Sequence, residues 1–130
     1  MVGKAIYSRL TNDATVSGLV SARVYPFAAV PQSPTYPYVT YQQINLVERS
    51  RSMTGDDGLR KDRVQVDVWA DSYSGMAALA NAVNDALNRW SGTEAGVTIQ
   101  GSYHEDARDL HEDDLQIYRR SLDYEIAWNE

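Results

Sequence analysis

Cysteine is absent from this chain, so neither a disulfide framework nor a thiolate metal site can form. Histidine occurs twice and phenylalanine once, which leaves little material for imidazole chemistry. No apolar run approaches the roughly 20 residues of a membrane-spanning helix. Met1-Val2-Gly3-Lys4 leads straight into an amphipathic pattern, without the apolar centre of a signal peptide. These absences predict a soluble protein made in a reducing compartment, with no membrane contact. They also remove several reaction classes. No serine sits in a Gly-x-Ser-x-Gly elbow. The turn Gly55-Asp56-Asp57-Gly58 lacks the Lys-Ser/Thr that would grip phosphate and magnesium. A net charge of −6 argues against a general hold on nucleic acid, because nonspecific affinity comes from neutralising phosphates.

What is present reads as one domain over residues 1–130, since 130 residues suffice to bury a sizeable core. Ala5, Ile6, Arg9 and Leu10, then Val16, Leu19 and Val20, predict two short N-terminal helices, with Asn12 or Asp13 as the cap of the second. A short extended piece follows at Arg23 to Phe27. Pro26, Pro31, Pro34 and Pro37 then stiffen a loop, each pushing its predecessor towards extended geometry. Pro31 to Pro34 matches a polyproline-recognition pattern in form, but a stiff lead-in to a strand explains it better.

Tyr38 to Val47 is rich in β-formers, and Arg63 to Ala70 alternates with Val64, Val66 and Val68 on one side. The clearest element is a helix from Ser72 to Trp90, capped by Ser72 or Asp71. Met76, Leu79, Ala80, Val83, Ala86, Leu87 and Trp90 recur at its period, and Gly92 stands as its stop. Burial of its large apolar residues contributes roughly 8 to 15 kcal/mol before entropy is subtracted. Val97 to Tyr103 and Leu115 to Trp128 read as strands, joined by an acidic link from Glu105 to Asp114. The expected fold is α+β: a mostly antiparallel sheet with one long amphipathic helix and the short N-terminal helices on one face.

Two surfaces stand out by charge. Arg49, Arg51, Arg60, Lys61 and Arg63 gather in one segment, with Met53 near its tip; long loops of this kind are usually functional or disordered. Glu105, Asp106, Asp109, Glu112, Asp113 and Asp114 gather in another. A basic and an acidic loop on one domain can meet head to tail between copies, building a ring or filament; two unconnected solvated loops are the plainer reading. The acidic run also contains His104 and His111. Imidazole and carboxylate are competent metal ligands, but a seven-residue spacing matches no zinc signature, so a solvated turn is favoured. Acid–base catalysis there would need burial that so polar a run does not promise. Neither a metal nor any cofactor is expected. Trp69 and Trp128 are candidate partner anchors, with core packing favoured for Trp128.

The element order, with Arg23-Val24-Tyr25-Pro26, Pro37-Tyr38-Val39-Thr40-Tyr41, Val64-Gln65-Val66-Asp67-Val68-Trp69-Ala70-Asp71 and Tyr118 to Ile126, resembles the tail-completion (tail-terminator) proteins of long-tailed phages and gene transfer agents. The resemblance covers nearly the whole chain and carries no catalytic signature. It implies a non-enzymatic structural protein of the virion tail, assembled in the host cytoplasm. It further implies a homo-oligomeric ring, usually a hexamer, that ends tail-tube growth and joins the tail to the head–tail connector. Its partners would be the tail-tube and connector proteins, with DNA passing through unread. The alternatives are a small protein-binding module using the basic or the Pro-rich loop, and, less favoured, a metal-dependent enzyme at the two-histidine turn. The basic residues are the nominated subunit or tail-tube interface, and the acidic ones a partner or lumen surface.

Overall fold

A computed structural model describes residues 2–44, 60–112 and 116–129. The interface candidates Arg49, Arg51 and Met53, and the acidic candidates Asp113 and Asp114, lie outside the described residues.

Two helices open the chain, α1 (Val2–Asn12) and α2 (Ala14–Val20). The break between them is set by Asp13, whose carboxylate accepts from the N–H groups of Thr15 and Val16, both at 3.0 Å. It thereby satisfies donors that a helix start leaves open. Strand β1 (Val24–Pro26) runs into a single 3-10 turn at Phe27–Ala29, so only three of the residues expected to be extended form a strand. After the proline loop come β2 (Tyr38–Gln43), β3 (Arg60–Ala70), α3 (Tyr73–Leu87), β4 (Trp90–Glu94), β5 (Val97–Glu112) and β6 (Ile117–Asn129).

The six strands among the described residues form one sheet in the order β1-β2-β3-β6-β5-β4. It is α+β, but the sheet is mixed, which corrects the mostly antiparallel expectation. The proline loop returns β2 alongside β1 in parallel, with Val24 opposite Val39. The remaining neighbours run antiparallel.

The long helix is shorter than its sequence period suggests. Ser72 caps it, its hydroxyl accepting from the N–H of Gly75 at 3.1 Å. It ends at Leu87, and Arg89 takes positive φ (60°) to turn the chain. Trp90 is therefore not the last residue of a helical stripe; it opens β4, a strand absent from the sequence reading. Gly92 lies within that strand, and the β4–β5 turn is made by Ala95 (φ 52°) and Gly96 (φ 80°). Positive φ at both central residues suits a tight hairpin.

The second correction concerns the acidic link. Residues Glu105 to Glu112 continue β5 instead of forming a loop, and they pair with β6 up to Glu112 opposite Ile117. Cross-strand pairing supports it: Ala107 and Leu122, Asp109 and Arg120, and Leu110 and Arg119 stand opposite each other, and the facing carboxylates Asp106 and Asp123 share Arg108. β5 and β6 thus pair along most of their length, and β3 flanks β6 on its other side as far as Ala70 opposite Tyr118.

The core lies between one sheet face and the three helices. Val64, Val66 and Val68 of β3 and Leu122, Tyr124, Ile126 and Trp128 of β6 meet Met76, Leu79, Val83 and Leu87 of α3. α1 and α2 contribute Ile6, Leu10, Val16 and Val20, all fully buried. Two of the aromatic side chains inside place their polar atoms on partners: Tyr124 Oη donates to Asn84 Oδ1 (2.8 Å), and Trp128 Nε1 donates to the buried Asp62 carboxylate (2.7 Å).

Burial holds several phenols in their neutral form. Tyr38 is pushed up to about 12, chiefly by burial and then by the adjacent Tyr36 phenol. Burial likewise raises Tyr41 and Tyr124. The unfolded chain releases these protons near pH ~10. Stability is therefore complete below that pH and falls as the pH climbs from about 10 through about 12. Melting temperature followed with phenolate absorbance should show unfolding and ionisation together in that window; phenols titrating fully near pH ~10 without loss of structure would contradict their burial.

Candidate functional site

The sheet face turned away from the helices carries ordered polar rows. Register sets them: Tyr38, Trp69, Arg119 and Leu110 stand side by side across β2, β3, β6 and β5, and Thr40, Asp67, Ser121 and Arg108 form the next row. Among the described residues no helix lies on this face, yet Thr40, Asp67 and Ser121 are each 1% exposed. Large side chains of the same face stand beside them. Trp69 stacks on Tyr38 with ring centroids 5.6 Å apart, and the Arg119 guanidinium lies 4.7 Å from the Trp69 ring.

Asp67 collects donors. Arg119 Nη2 donates to its Oδ2 at 3.0 Å, Gln65 Nε2 lies 3.1 Å from both oxygens, and the Ser121 hydroxyl donates to Oδ1. Trp69 Nε1 donates to Thr40 Oγ1 at 3.1 Å. A buried carboxylate needs this many donors to remain in place. In the neighbouring row Asp123, 5% exposed, receives Arg63 Nη2 at 3.3 Å, and Arg108 Nη1 lies 3.7 Å from the same oxygen.

Charge is therefore less segregated than the sequence suggests. Arg63 from the basic segment and Arg108 from the acidic one converge on Asp123. Asp106 lies 3.6 Å from Arg108. Asp109 accepts two bonds from Arg120, at 2.6 and 3.1 Å, and this contact holds its carboxyl below the usual carboxylate range. Glu105 is exposed, and Glu112 closes β5. Of the basic candidates, Lys61 is exposed and Arg60 lies over the Trp128 ring at 5.7 Å. The six described candidates from the two groups with placed side chains thus sit on β3 and β5, flanking β6 on either side.

The two histidines are separated by their aromatic neighbours. His104 packs against Tyr124 (5.4 Å), whereas His111 stacks on Tyr118 (4.3 Å), with Tyr73 edge-on beyond it. Among the described residues no group of three or more His, Asp or Glu is placed to hold a metal. Among them too, no helix is long and apolar enough to cross a membrane. Trp128 is a core residue, 5% exposed, while Trp69 is half-buried on the open face.

Two hollows accompany these features. One, of about 240 Å³, is lined by Val2, Ile6, Phe27, Tyr41, Gln43 and Val64; Phe27 beside it is 51% exposed. The other, of about 180 Å³, lies on the open face between Trp69, Leu110, His111, Ile117 and Arg119. Sequence reasoning missed Arg119 and Leu110 as surface residues, although the alternation of the last strand already placed Arg119 on the face opposite Leu122.

A sheet face built from Tyr, Trp and Arg has the composition of a protein-contact surface. The chain matches the family described as Tail completion protein gp17 over residues 4–128, and it belongs to that family. That places it among structural tail-assembly proteins. Its fold is also that of a chain in a structure titled "Virion of native gene transfer agent (GTA) particle", with a TM-score of 0.79 and 24% identity over 97% of this chain and 92% of that one. No curated protein matches it.

Proposed function

We propose that copies of this chain form a ring at the head-proximal end of a phage-like tail tube, ending its growth and joining the tail to the head connector. Membership of a tail-completion family supports the tail role. The observation that carries the oligomeric part is the open sheet face, where Trp69, Arg119 and Leu110 present a partly exposed aromatic and cationic row backed by the buried Tyr38. Such rows supply contact area at little entropic cost. The six-fold symmetry comes from the family resemblance alone. A net charge of −6 suits a passage for DNA, since a surface that repels phosphates lets a duplex slide. The exposed Lys61 and Glu105, with the flanking basic and acidic segments, are nominated as contacts to neighbouring subunits and to the tube.

Mass measurement at high concentration, alone and with tail-tube protein, checks this. A defined oligomer is expected in one of the two samples. Monomer in both would overturn the ring and favour a single-copy binding module, for which the apolar hollow beside Phe27 would be the natural seat.

A further inference from the structure

We infer that the outer edge of β5 between Tyr103 and Glu112 is a docking site for a strand of another tail protein, one rich in lysine and arginine. The inference rests on the tail-assembly reading only for the source of the partner. The site itself follows from how the sheet's edges are finished.

The two outermost strands are blunted. β1 has three residues; the N–H of Val24 is taken by the Ala22 carbonyl at 2.8 Å, and Pro26 has no N–H to offer. β4 has five residues, a register shift between Trp90 and Gly92, and α1 against it through the Ser8–Glu94 bond of 2.8 Å. β5, in contrast, outruns its neighbour. The last β4 partner is Ser102, opposite Trp90, so beyond it β5 has β6 on one side and no strand on the other among the described residues.

The outward groups can be assigned. The N–H of His104 donates to Asn88 Oδ1 at 3.0 Å, and that of Ala107 donates to Asp106 Oδ1 at 2.9 Å. Both therefore point away from β6, and alternation along the ladder turns Asp109 outward as well. Asn88 and Asp106 are side-chain substitutes for a missing strand. The one at Ala107 comes from an exposed carboxylate that a real strand can displace. At roughly 3.4 Å per residue, the stretch is long enough for several ladder bonds.

Charge selects the partner. The sequence of this stretch carries Glu105, Asp106, Asp109 and Glu112 with Arg108; Asp106 lies by Arg108 and Asp109 is held by Arg120, while Glu105 is exposed. Two copies of this edge laid together would set these acids against each other. A second copy's other described edges are the blunted ones. A foreign strand with basic side chains meets no such obstacle, and the pairing is strand addition.

Ala107→Pro removes one outward N–H and leaves the β5–β6 ladder intact, whereas Ala107→Thr keeps that N–H. The probes are a short peptide alternating lysine with valine and its glutamate twin, added to the full chain. The lysine peptide is expected to bind the parent and Ala107→Thr about tenfold more tightly than the glutamate peptide, weakening with salt. Hydrogen exchange should slow at Ala107 and Asp109. Ala107→Pro should lose that binding, and Glu105→Lys, an exposed change that keeps the backbone, should weaken it about fivefold whether or not the proline variant folds. No binding, equal binding of both peptides, indifference to Glu105→Lys, or a parent dimer linked β5 edge to β5 edge would overturn the inference. Those results leave the ring standing. Monomer in the mass measurement would remove the ring and leave the peptide result intact.

Discussion

Val83→Asp is expected to leave the chain unfolded at room temperature. Val83 is 0% exposed, at the middle of α3, where that helix meets both the sheet and the N-terminal helices. Losing the valine costs roughly 1.5 to 3 kcal/mol of apolar burial. Desolvating an ion without a partner adds several kcal/mol after relaxation. The sum is comparable to the about 5 to 15 kcal/mol that holds a whole domain together. Val83→Ala serves as the control; it leaves a small void and is expected to cost only about 2 kcal/mol. Circular dichroism on heating separates them. An aspartate variant that melts near the parent would show that this face of α3 is not buried.

The second large effect is expected at Asp67. Asp67→Ala strips the Arg119 guanidinium, the Ser121 hydroxyl and the Gln65 amide of their common acceptor. Breaking a buried pair by removing one partner typically costs about 3 to 5 kcal/mol. The Arg119 side chain is 28% exposed and can reach water, so the lower end of that range is expected. Arg119→Met combined with Asp67→Leu should recover most of the loss, because a hydrophobic pair of similar volume needs no desolvated charge. Urea unfolding of the two single variants and the double gives the coupling. Strict additivity would mean that Arg119 is held by its stacking on Trp69 and owes nothing to Asp67.

Both predictions depend on features of unequal legibility. The period of α3 is plain from Met76, Leu79, Val83 and Leu87, and local chemistry narrows each cap to two neighbours, Asn12 or Asp13 and Asp71 or Ser72, of which the structure uses Asp13 and Ser72. The helix end is not plain, because Trp90 fits the helical stripe equally well. Only the positive φ of Arg89 and the pairing of Trp90 with Ser102 move it into a strand. The acidic run failed as a loop for a related reason. Its side chains are polar on both faces, so no apolar alternation marks it. The strand is held by cross-strand partners on β6 that no local pattern announces.

The helix stripe also proved wider than one sheet face requires. Ala82 is 6% exposed and Ala80 2%, because α1 and α2 pack along the flank of α3 that a lone sheet would leave open. Small residues there permit that close approach.

Sequence by itself determined the class of the domain, its principal helix, the inward faces of β3 and β6, and the family resemblance. Those depend on periodicity and on residue order, which are local or read along the chain. Tertiary structure alone decided the parallel β1–β2 pair, the β4 edge and the length of the β5–β6 pairing. It also decided the meeting of Arg63 and Arg108 on Asp123. Each of these is a pairing between residues distant in the chain, and the register of a sheet is settled by neighbouring strands together.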